Sequence, residues 1–364
     1  MKRLFAGMTA ALLAVILVFS FPANAVSAKS AILMDAATGR ILYSKMPDEK
    51  SLIASTTKIM TALVICEQCN VLDRVRIPKE AVGIEGSSVY LKEGEVLTIQ
   101  ELLYGLMLQS GNDAATALAI YCGGTVEGFV QMMNDKAKTL GLENTHFENP
   151  HGLDGKDHYS TARDLGALAS YAMQNPIFAK IVSTKSIKAG ERFFKNHNKL
   201  LWQLEGADGV KTGYTRSAGR ILVSSATRMD RRLVAVTIND PCDWLDHATL
   251  INDGFQGYKE SKIVVQGQTV GYTEIAGGQF KQVEVLAKED FSCYLSEEEK
   301  VEIYLPSLGF VYAPVAEGQS AGYAQVYLDN HCVGKIPLVY GQTVEQEVQV
   351  KVPIWKKLLR GNHT

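Results

Sequence analysis

Three short motifs constrain this chain more than any other feature of its sequence. Ser55-Thr56-Thr57-Lys58, Ser110-Gly111-Asn112 and Lys211-Thr212-Gly213 each occur once, in that order. Ser55 and Lys58 are three residues apart, and positions with that spacing share one face of a helix. A serine hydroxyl is a weak nucleophile that needs a base within hydrogen-bond reach, and this spacing provides one. The ordered set of three is typical of a serine acyl-transfer site.

The sequence around each motif predicts its place in the fold. Residues 59–65 contain no Gly or Pro, so Ser55 is expected near a helix start, where backbone N–H groups are free. Ser110-Gly111-Asn112 separates two helical runs and is expected to form a tight connection. Lys211 lies in the first of three strand-like runs that follow one another at hairpin spacing. This strand is expected to lie at the edge of an antiparallel sheet. Taken singly, the motifs would indicate a helix cap, a turn and a solvated lysine, whereas their co-occurrence favours a catalytic cleft.

The order of the elements predicts an α+β fold for most of the chain. Two short strands lie within 31–45, helices dominate 52–176, three strands follow within 210–238, and a helix closes the unit at 243–255. This order favours an antiparallel sheet with a helical subdomain. After Tyr258, short strands separated by Gly-containing turns indicate a small all-β domain. We therefore expect a catalytic domain at 29–260 and a C-terminal β domain at 261–351.

The two ends of the chain are predicted to lie outside these domains and to serve in export and membrane contact. A basic start, an apolar run over 4–21 and the small-residue pattern Ala23-Asn24-Ala25 indicate a signal peptide, assigned to residues 1–28, and hence export. Val26-Ser27-Ala28 is an alternative cleavage site for signal peptidase. If the apolar segment were not cleaved, it would be long enough to act as a membrane anchor. Residues 352–364 form a short basic amphipathic tail with Trp355 among cations. Such a tail favours peripheral membrane contact, with a solvated tail as the alternative.

Composition and cysteine usage exclude several classes of protein. The chain has 364 residues, 46% of them hydrophobic and 21% charged, which suits a soluble globular protein. A net charge of −2 gives no electrostatic basis for nucleic-acid binding. The six cysteines lack the spacing of a disulfide framework, although a pairing of Cys293 with Cys332 is left open. Cys66-x-x-Cys69 has no second ligand pair, so we predict no metal site and no cofactor.

Several longer stretches are similar to one enzyme family. They are Asp35-Ala36-Ala37-Thr38-Gly39-Arg40, Gly86-Ser87-Ser88-Val89-Tyr90, Asn149-Pro150-His151-Gly152-Leu153 and Gly209-Val210-Lys211-Thr212-Gly213-Tyr214-Thr215. With the motifs, they make the chain resemble the D-alanyl-D-alanine carboxypeptidases, which are low-molecular-mass penicillin-binding proteins of the bacterial envelope. The resemblance covers nearly the whole mature chain. It implies a serine β-lactamase/D,D-peptidase-like domain, followed by a β domain without catalytic residues.

The motifs and the resemblance together imply three catalytic residues. Ser55 is expected to attack the carbonyl of the penultimate D-alanine, with Lys58 as its base. A lysine near its ordinary pKa of about 10.4 is protonated at pH 7, so burial and a nearby cation, Lys211, are expected to lower the pKa of Lys58. Ser110 would relay a proton to the leaving amine. The backbone N–H groups of Ser55 and Tyr214 would form the oxyanion hole.

The remaining motif residues are expected to bind substrate. The resemblance implies that Lys211 and Thr212 hold the terminal carboxylate of the substrate. Gly213 and Tyr214 follow on the same strand and are expected to contact the substrate as well. Asn112 would hold either the amide backbone of the substrate or Lys58. The family's further basic residue near the carboxylate has two candidates here, Arg216 and His197. His151 and His158 are interpreted as loop-anchoring hydrogen-bond partners, because the chemistry requires no imidazole.

Four functions compete for this set of residues. The favoured one is a D-Ala-D-Ala carboxypeptidase that trims peptidoglycan stem peptides and is acylated by β-lactam antibiotics such as penicillin. A class A-like β-lactamase would need a deacylating Glu loop between Asn112 and Lys211, and the acidic residues there do not form one. A D,D-endopeptidase acting on cross-links stays open. A non-enzymatic wall-binding protein is disfavoured, because all three motifs are intact.

Overall fold

The computed structural model describes residues 26–306 and 309–347 of the chain. The predicted basic tail at 352–364 lies outside these residues, as does the predicted signal peptide apart from Val26, Ser27 and Ala28. Within the described ranges, no helix combines the length and the apolar character needed to span a membrane.

The first domain contains most of the helices. They are α1 (Lys58–Gln68), α2 (Ile99–Leu108), α3 (Asn112–Gly123), α4 (Val126–Thr139), α5 (Ala162–Ala172), α6 (Pro176–Ser183), α7 (Leu200–Gln203) and α8 (Asp243–Gly257). Short 3-10 turns lie at Ala54–Thr57, directly before α1, and at Lys79–Ala81. The start of α2 is fixed by a capping box, in which Thr98 Oγ1 accepts from the Glu101 amide and the Glu101 carboxylate accepts from the Thr98 amide. The helix that precedes Ser110 is therefore held at its far end.

The strands of this domain build one central sheet and two short pairs. They are β1 (Ser30–Asp35), β2 (Ile41–Lys45), β3 (Arg74–Arg76), β4 (Val96–Thr98), β5 (Ser186–Ala189), β6 (Arg192–Lys195), β7 (Ala207–Thr215), β8 (Gly219–Arg228) and β9 (Arg231–Ile238). The central sheet is antiparallel in the order β2-β1-β9-β8-β7, while β3 pairs with β4 and β5 with β6. Strand β7 is thus an edge strand, as the sequence predicts for Lys211.

The central sheet lies between two apolar layers, because its side chains alternate. On β1, Ile32 and Met34 belong to the main core formed with α1 to α6, whereas Leu33 faces Leu250 and Ile251 of α8. This alternation is the two-residue period of a strand. The helix predicted at 243–255 therefore closes the sheet on the face opposite the helical subdomain.

The second domain is all β, in agreement with the predicted fold class. Its strands are β10 (Lys259–Val264), β11 (Thr269–Ala276), β12 (Gln282–Ala287), β13 (Phe291–Leu295), β14 (Val301–Tyr304), β15 (Phe310–Tyr312), β16 (Ser320–Leu328) and β17 (His331–Tyr340). Six of them form a sheet in the order β14-β16-β17-β12-β11-β15, and β10 pairs with β13. A separate apolar cluster, including Val285, Val326 and Leu338, forms its core.

Polar contacts join the two domains near β1 and β13. Arg40 donates to the Tyr294 carbonyl at 2.7 Å and forms an ion pair with Glu299. Arg231 of β9 donates to Asp35 at 2.9 Å, and its guanidinium lies 4.1 Å from the centre of the Tyr294 ring. The second domain is therefore attached to the catalytic sheet itself.

The predicted secondary structure is confirmed for the long elements and incomplete for the short ones. The β3–β4 and β5–β6 pairs were not predicted, since strands of three or four residues carry too little periodicity. All six cysteines are free thiols, and the pairing left open for Cys293 and Cys332 is absent from the described residues.

Candidate active site

The three motifs meet in one cleft of about 370 Å³. The 3-10 turn at Ala54–Thr57 supplies Ser55, the connection between α2 and α3 supplies Ser110, and strand β7 supplies Thr212, Gly213 and Tyr214. Ser55 and Tyr214, 159 positions apart in sequence, therefore line the same cavity, with Lys58 and Lys211 buried behind it. The fold brings together every residue that the sequence predicts for the site.

The turn that carries Ser55 is packed tightly against its neighbours. Ala54 adopts a left-handed backbone conformation with φ 45°, which is unusual for a residue with a side chain. A Cβ at Gly213 would lie 3.3 Å from the Ser55 backbone nitrogen, and a Cβ at Gly152 would collide with the Ala54 carbonyl. Glycine at these two positions therefore lets strand β7 and the loop at 149–153 approach the nucleophile from opposite sides.

Lys58 is fully buried and contacts three oxygen atoms. Its Nζ lies 3.0 Å from Ser55 Oγ, 2.7 Å from Asn112 Oδ1 and 2.6 Å from the His151 carbonyl oxygen. The Asn112 amide is oriented by a second bond, in which Nδ2 donates to the Glu85 carbonyl. Asn112 therefore binds Lys58, which is one of the two contacts considered for it from the sequence.

Burial shifts the pKa of both lysines. Desolvation, followed by the charge of Lys211, holds the pKa of Lys58 well below its ordinary value, against a smaller opposing effect of Asp113. Desolvation also lowers the pKa of Lys211 to about 7. The mechanism expected from the sequence, burial plus a neighbouring cation, is the one found.

The backbone at Ser110 is strained and fixed on both sides. Ser110 has φ 63°, a left-handed conformation that a non-glycine residue adopts at a cost of about 1–3 kcal/mol. The Gly111 amide donates to the Gly105 carbonyl, and the Asn112 amide donates to the Ser87 carbonyl at 2.7 Å. Asp113 accepts from the amides of Val89 and Leu91 and so holds the neighbouring loop in place. This connection is rigid, as positioning of a catalytic hydroxyl requires.

Strand β7 forms the opposite wall of the cleft. Lys211 is buried, and its Nζ donates to the Thr212 carbonyl at 2.9 Å. Thr212 and Gly213 line the cavity, while the Tyr214 side chain is 66% exposed at its mouth. The wall thus offers a hydroxyl, an ammonium group behind it and an aromatic ring at the rim.

Sequence reasoning missed several residues of the cleft. Ser87, Lys199, Asp243 and Trp244 line it, together with Arg220, whose guanidinium donates to both carboxylate oxygens of Asp243 at 2.8 Å. Arg220 is the β8 partner of Tyr214, so hairpin pairing across β7 and β8 was the signal that could have identified it.

The two candidates for a further basic residue near the substrate carboxylate, His197 and Arg216, differ in position in the structure. His197 lines the cleft, and Arg216 is not among the residues that form its lining. Burial, followed by the charge of Lys211, lowers the pKa of His197. The lowered pKa favours the neutral ring, so among the described residues that line the cleft the cationic side chains are Lys199 and Arg220.

His151 and His158 hold the loop at 149–158 against the nucleophile turn. His158 Nδ1 accepts from the Glu148 amide at 3.1 Å, so Nε2 carries the proton and donates to Thr57 Oγ1 at 2.7 Å. Burial lowers the pKa of both rings to about 4. These contacts agree with the loop-anchoring interpretation, with the addition that the His151 carbonyl also binds Lys58.

Comparison with known proteins covers both domains. Residues 18–242 match the family model for D-alanyl-D-alanine carboxypeptidase, and residues 258–346 match the C-terminal domain of penicillin-binding protein 5. The chain is 34% identical over 329 residues to the D-alanyl-D-alanine carboxypeptidase DacF of Bacillus subtilis, covering 85% of this chain and 84% of that protein. It is 38% identical over 277 residues to a D-alanyl-D-alanine carboxypeptidase of a Streptomyces species, covering 68% of this chain and 95% of that protein.

Solved structures agree with these matches. Penicillin-binding protein 5 of Haemophilus influenzae superposes with a TM-score of 0.73 at 30% identity, covering 88% of this chain and 98% of that chain. A Streptomyces DD-transpeptidase superposes with a TM-score of 0.62 at 37% identity, covering 64% of this chain and 98% of that chain. The chain therefore belongs to the D-alanyl-D-alanine carboxypeptidase family of serine peptidases.

Proposed function

We propose that this carboxypeptidase removes the terminal D-alanine from peptidoglycan stem peptides through an acyl-enzyme on Ser55, with Lys58 as the base. The observation that carries the proposal is the contact set of Lys58. Two of its three partners, Asn112 Oδ1 and the His151 carbonyl oxygen, can only accept hydrogen bonds. A neutral lysine donates both of its protons to them and directs its lone pair at Ser55 Oγ, 3.0 Å away.

The neutral form of Lys58 that this role requires is favoured by its surroundings. The buried site and the charge of Lys211 both lower its pKa, which shifts the equilibrium towards the unprotonated amine that a base requires. Such a base takes the Ser55 proton as Oγ adds to the substrate carbonyl. The tetrahedral intermediate would be stabilised by the backbone N–H groups of Ser55 and Tyr214, each worth roughly 2.7–4 kcal/mol.

The leaving D-alanine is assigned to the wall opposite Ser55. Its carboxylate would contact Thr212 and the ammonium group of Lys211, and Arg220 lies on the adjacent strand. Ser110 would pass a proton to the departing amine. Water then releases the acyl group from Ser55 and restores the enzyme.

Penicillin is expected to form a long-lived adduct on the same serine. Among the described residues that line the cleft, the one carboxylate is Asp243, and it is bound by Arg220. A deacylating carboxylate of the class A β-lactamase kind is therefore not supported at this site. The enzyme should accordingly be inhibited by penicillin rather than degrade it.

The test combines mass spectrometry with product analysis. The wild type should gain one penicillin mass and should release D-alanine from a synthetic pentapeptide. Ser55→Ala should lose both reactions with an unchanged circular dichroism spectrum. Ser51→Ala changes a serine outside the cleft and serves as the control. A penicillin adduct on Ser55→Ala would refute the assignment.

Export to the cell envelope completes the proposal, and the packing of residues 26–28 favours the earlier cut site. Val26 and Ala28 are buried in the apolar cluster beneath the sheet, and the Ser27 amide donates to Asp246 at 2.6 Å. A cut after Ala25 keeps these contacts, whereas a cut after Ala28 removes them. Intact-mass measurement of the secreted protein distinguishes the two.

Peripheral membrane contact through residues 352–364 is proposed from the sequence of the tail. Its Trp, Leu, Lys and Arg side chains are those expected at a lipid interface. Co-sedimentation with anionic liposomes, with and without these residues, tests it. Equal sedimentation of both forms would exclude a role for the tail.

A further inference from the structure

Helices α1 and α3 run side by side from the catalytic cleft and bring two cysteines together at their far ends. Helix α1 begins at Lys58 and α3 at Asn112, and these two side chains are hydrogen-bonded at 2.7 Å. Cys69 follows Lys58 by 11 positions, and Cys122 follows Asn112 by 10. At about 1.5 Å per residue, both cysteines lie about 15–17 Å from the catalytic end, at the same level of the two helices.

Two contacts join the far ends of these helices. The Tyr121 hydroxyl donates to Asp73 Oδ2 at 3.2 Å, which links the last turn of α3 to the loop after α1. Beside it, the thiol of Cys69 is hydrogen-bonded to the sulfur of Cys122. A disulfide has an S–S bond of about 2.05 Å, and side-chain rotation closes the gap between sulfurs that are already hydrogen-bonded. The two free thiols are therefore placed for oxidation.

Cys66 is the third thiol of this cluster and the least accessible one. It is 8% exposed inside α1, whereas Cys69 and Cys122 are both partly exposed. Cys69 follows the last residue of α1 and already has an extended backbone, with φ −123° and ψ 148°. Because an oxidant must reach the sulfur with which it reacts, the accessible pair is Cys69 with Cys122.

The surroundings of the pair favour a lasting disulfide over a catalytic one. Burial raises the pKa of both thiols, to about 12 for Cys69. The hydrogen bond from Cys69 opposes this rise for Cys122, so Cys122 is the better source of an attacking thiolate. Thiols of high pKa are poor leaving groups, and a disulfide between them is therefore slow to be reduced.

We propose that Cys69 and Cys122 form a disulfide in the exported protein, which ties together the two helices that carry Lys58 and Asn112. The proposal rests on the proposed export, because disulfides form and persist outside the cytoplasm. The loop that it closes runs from residue 69 to residue 122 and includes the connection that carries Ser110. Cross-linking a loop of this length restricts the unfolded chain and thereby stabilises the fold around the cleft.

The oxidation is a thiol–disulfide exchange with an oxidant that itself carries a disulfide. The Cys122 thiol loses its proton to water, and the thiolate attacks one sulfur of the oxidant, whose S–S bond breaks to release one thiol. Cys69 then loses its proton and attacks Cys122 Sγ in the mixed disulfide, which releases the second thiol. The two cysteines give up two electrons and two protons, and the oxidant is reduced to two thiols.

The experiment compares oxidised and reduced forms of the purified mature protein. The folded wild type is incubated with oxidised glutathione or with dithiothreitol, and free thiols are then alkylated. Digestion after Lys, Arg and Glu separates Cys66 from Cys69, because Glu67 lies between them. Mass spectrometry of the oxidised form should find a cross-linked peptide pair that joins Cys69 to Cys122. The oxidised form should melt about 5–10 °C above the reduced form.

Cysteine variants provide the matched controls. Cys69→Ala and Cys122→Ala should each abolish the difference in melting temperature, whereas Cys332→Ala, at an exposed cysteine of β17, should retain it. If a variant is misfolded, the peptide map of the wild type decides. Free thiols at both positions after oxidation would overturn the inference, as would a link from Cys66 to Cys69 or a disulfide without effect on melting. Failure of the proposed function is seen separately, as absence of D-alanine release and of the penicillin adduct in both forms.

Discussion

At the scale of single residues, two buried lysines divide the work of the cleft. Lys58 contacts Ser55 Oγ, whereas the described hydrogen bond of the Lys211 ammonium goes to the Thr212 carbonyl on the opposite wall. Desolvation lowers the pKa of both lysines, and the charge of Lys211 lowers the pKa of Lys58 further. One lysine is thereby suited to accept a proton, and the other to meet a carboxylate.

Replacing the base should abolish acylation without unfolding the protein. Lys58→Met keeps the length of the side chain but removes the nitrogen, so acylation by penicillin should slow by about 10²–10⁴-fold. The melting temperature should fall, because Asn112 Oδ1 and the His151 carbonyl lose their buried donor, and a buried group left unsatisfied costs about 1–3 kcal/mol. Stopped-flow labelling with fluorescent penicillin measures the rate, with exposed Lys79→Met as the control. Labelling at the wild-type rate would show that another group is the base.

The pH profile should report the charge of Lys211. Because its pKa is about 7 in the free enzyme, kcat/KM for D-alanine release should decline as pH rises above that value, where Lys211 loses its proton. A peptide with a terminal amide has no carboxylate to bind, so its rate should be lower overall and should not show this decline. The same alkaline decline for acid and amide substrates would contradict carboxylate binding by Lys211.

At the scale of elements, α8 is joined to the sheet by a buried histidine. His247 Nδ1 lies 2.6 Å from Ser224 Oγ on β8, and Nε2 lies 2.9 Å from Thr237 Oγ1 on β9. Burial lowers the pKa of this ring to about 3. The ring is therefore neutral in the folded protein and links one helix to two central strands.

Stability should consequently decrease in acid. The folded pKa of about 3 lies below the ordinary 6.5, so between these values the unfolded chain binds a proton that the folded chain does not. The contribution of His247 to the free energy of unfolding is complete above about pH 6.5 and is lost towards pH 3 at about 1.4 kcal/mol per pH unit. His151 and His158, whose pKa values are also lowered, add to the same acid loss. Urea unfolding across this range measures the total. His247→Gln should reduce its slope by about the share of one group, while exposed His331→Gln should leave it unchanged; an unchanged slope in His247→Gln would contradict the assignment.

The elements also show which parts of the site a sequence can predict. Ser55 and Lys58 are recognisable because helical spacing is local, and Lys211 because two apolar strands follow it at hairpin spacing. Lys199 and Trp244 reach the cleft through tertiary contacts that no local spacing encodes, whereas pairing across the β7–β8 hairpin could have identified Arg220. Strand β3 was missed because it has one buried residue, Val75, between two exposed arginines.

At the scale of the whole molecule, the second domain is held to the first by an arginine that is 7% exposed. Arg40 of the first domain binds the Tyr294 carbonyl and Glu299 of the second. Removing one partner of a buried ion pair leaves the other uncompensated, at a cost of about 3–5 kcal/mol. The attachment of the two domains therefore depends on this arginine more than on exposed pairs.

Arg40→Met should loosen the second domain and leave catalysis intact. Trp202 and Trp244 lie in the first domain, and the third tryptophan, Trp355, lies in the predicted tail, so all proteins compared carry Trp355→Phe. Their fluorescence then reports the first domain, whereas far-ultraviolet circular dichroism reports both domains. In the variant, part of the circular dichroism signal should be lost at a lower temperature than the fluorescence change. Lys262→Met breaks an exposed pair with Asp290 and should not have this effect, because solvent and salt screen such pairs and they contribute little to stability. If Arg40→Met and the wild type melt identically, Arg40 does not hold the second domain to the first.

The carbonyl of His151 has a consequence for how this enzyme can vary. It contacts Lys58, the proposed general base, yet it is a main-chain atom that every amino acid possesses. Point substitutions at residue 151 therefore leave the contact in place, and a scan of side chains would not detect it. The contact depends instead on the length and the backbone path of the segment from Asn149 to Leu153. A one-residue deletion in this segment should therefore inactivate the enzyme, although all three sequence motifs are still present.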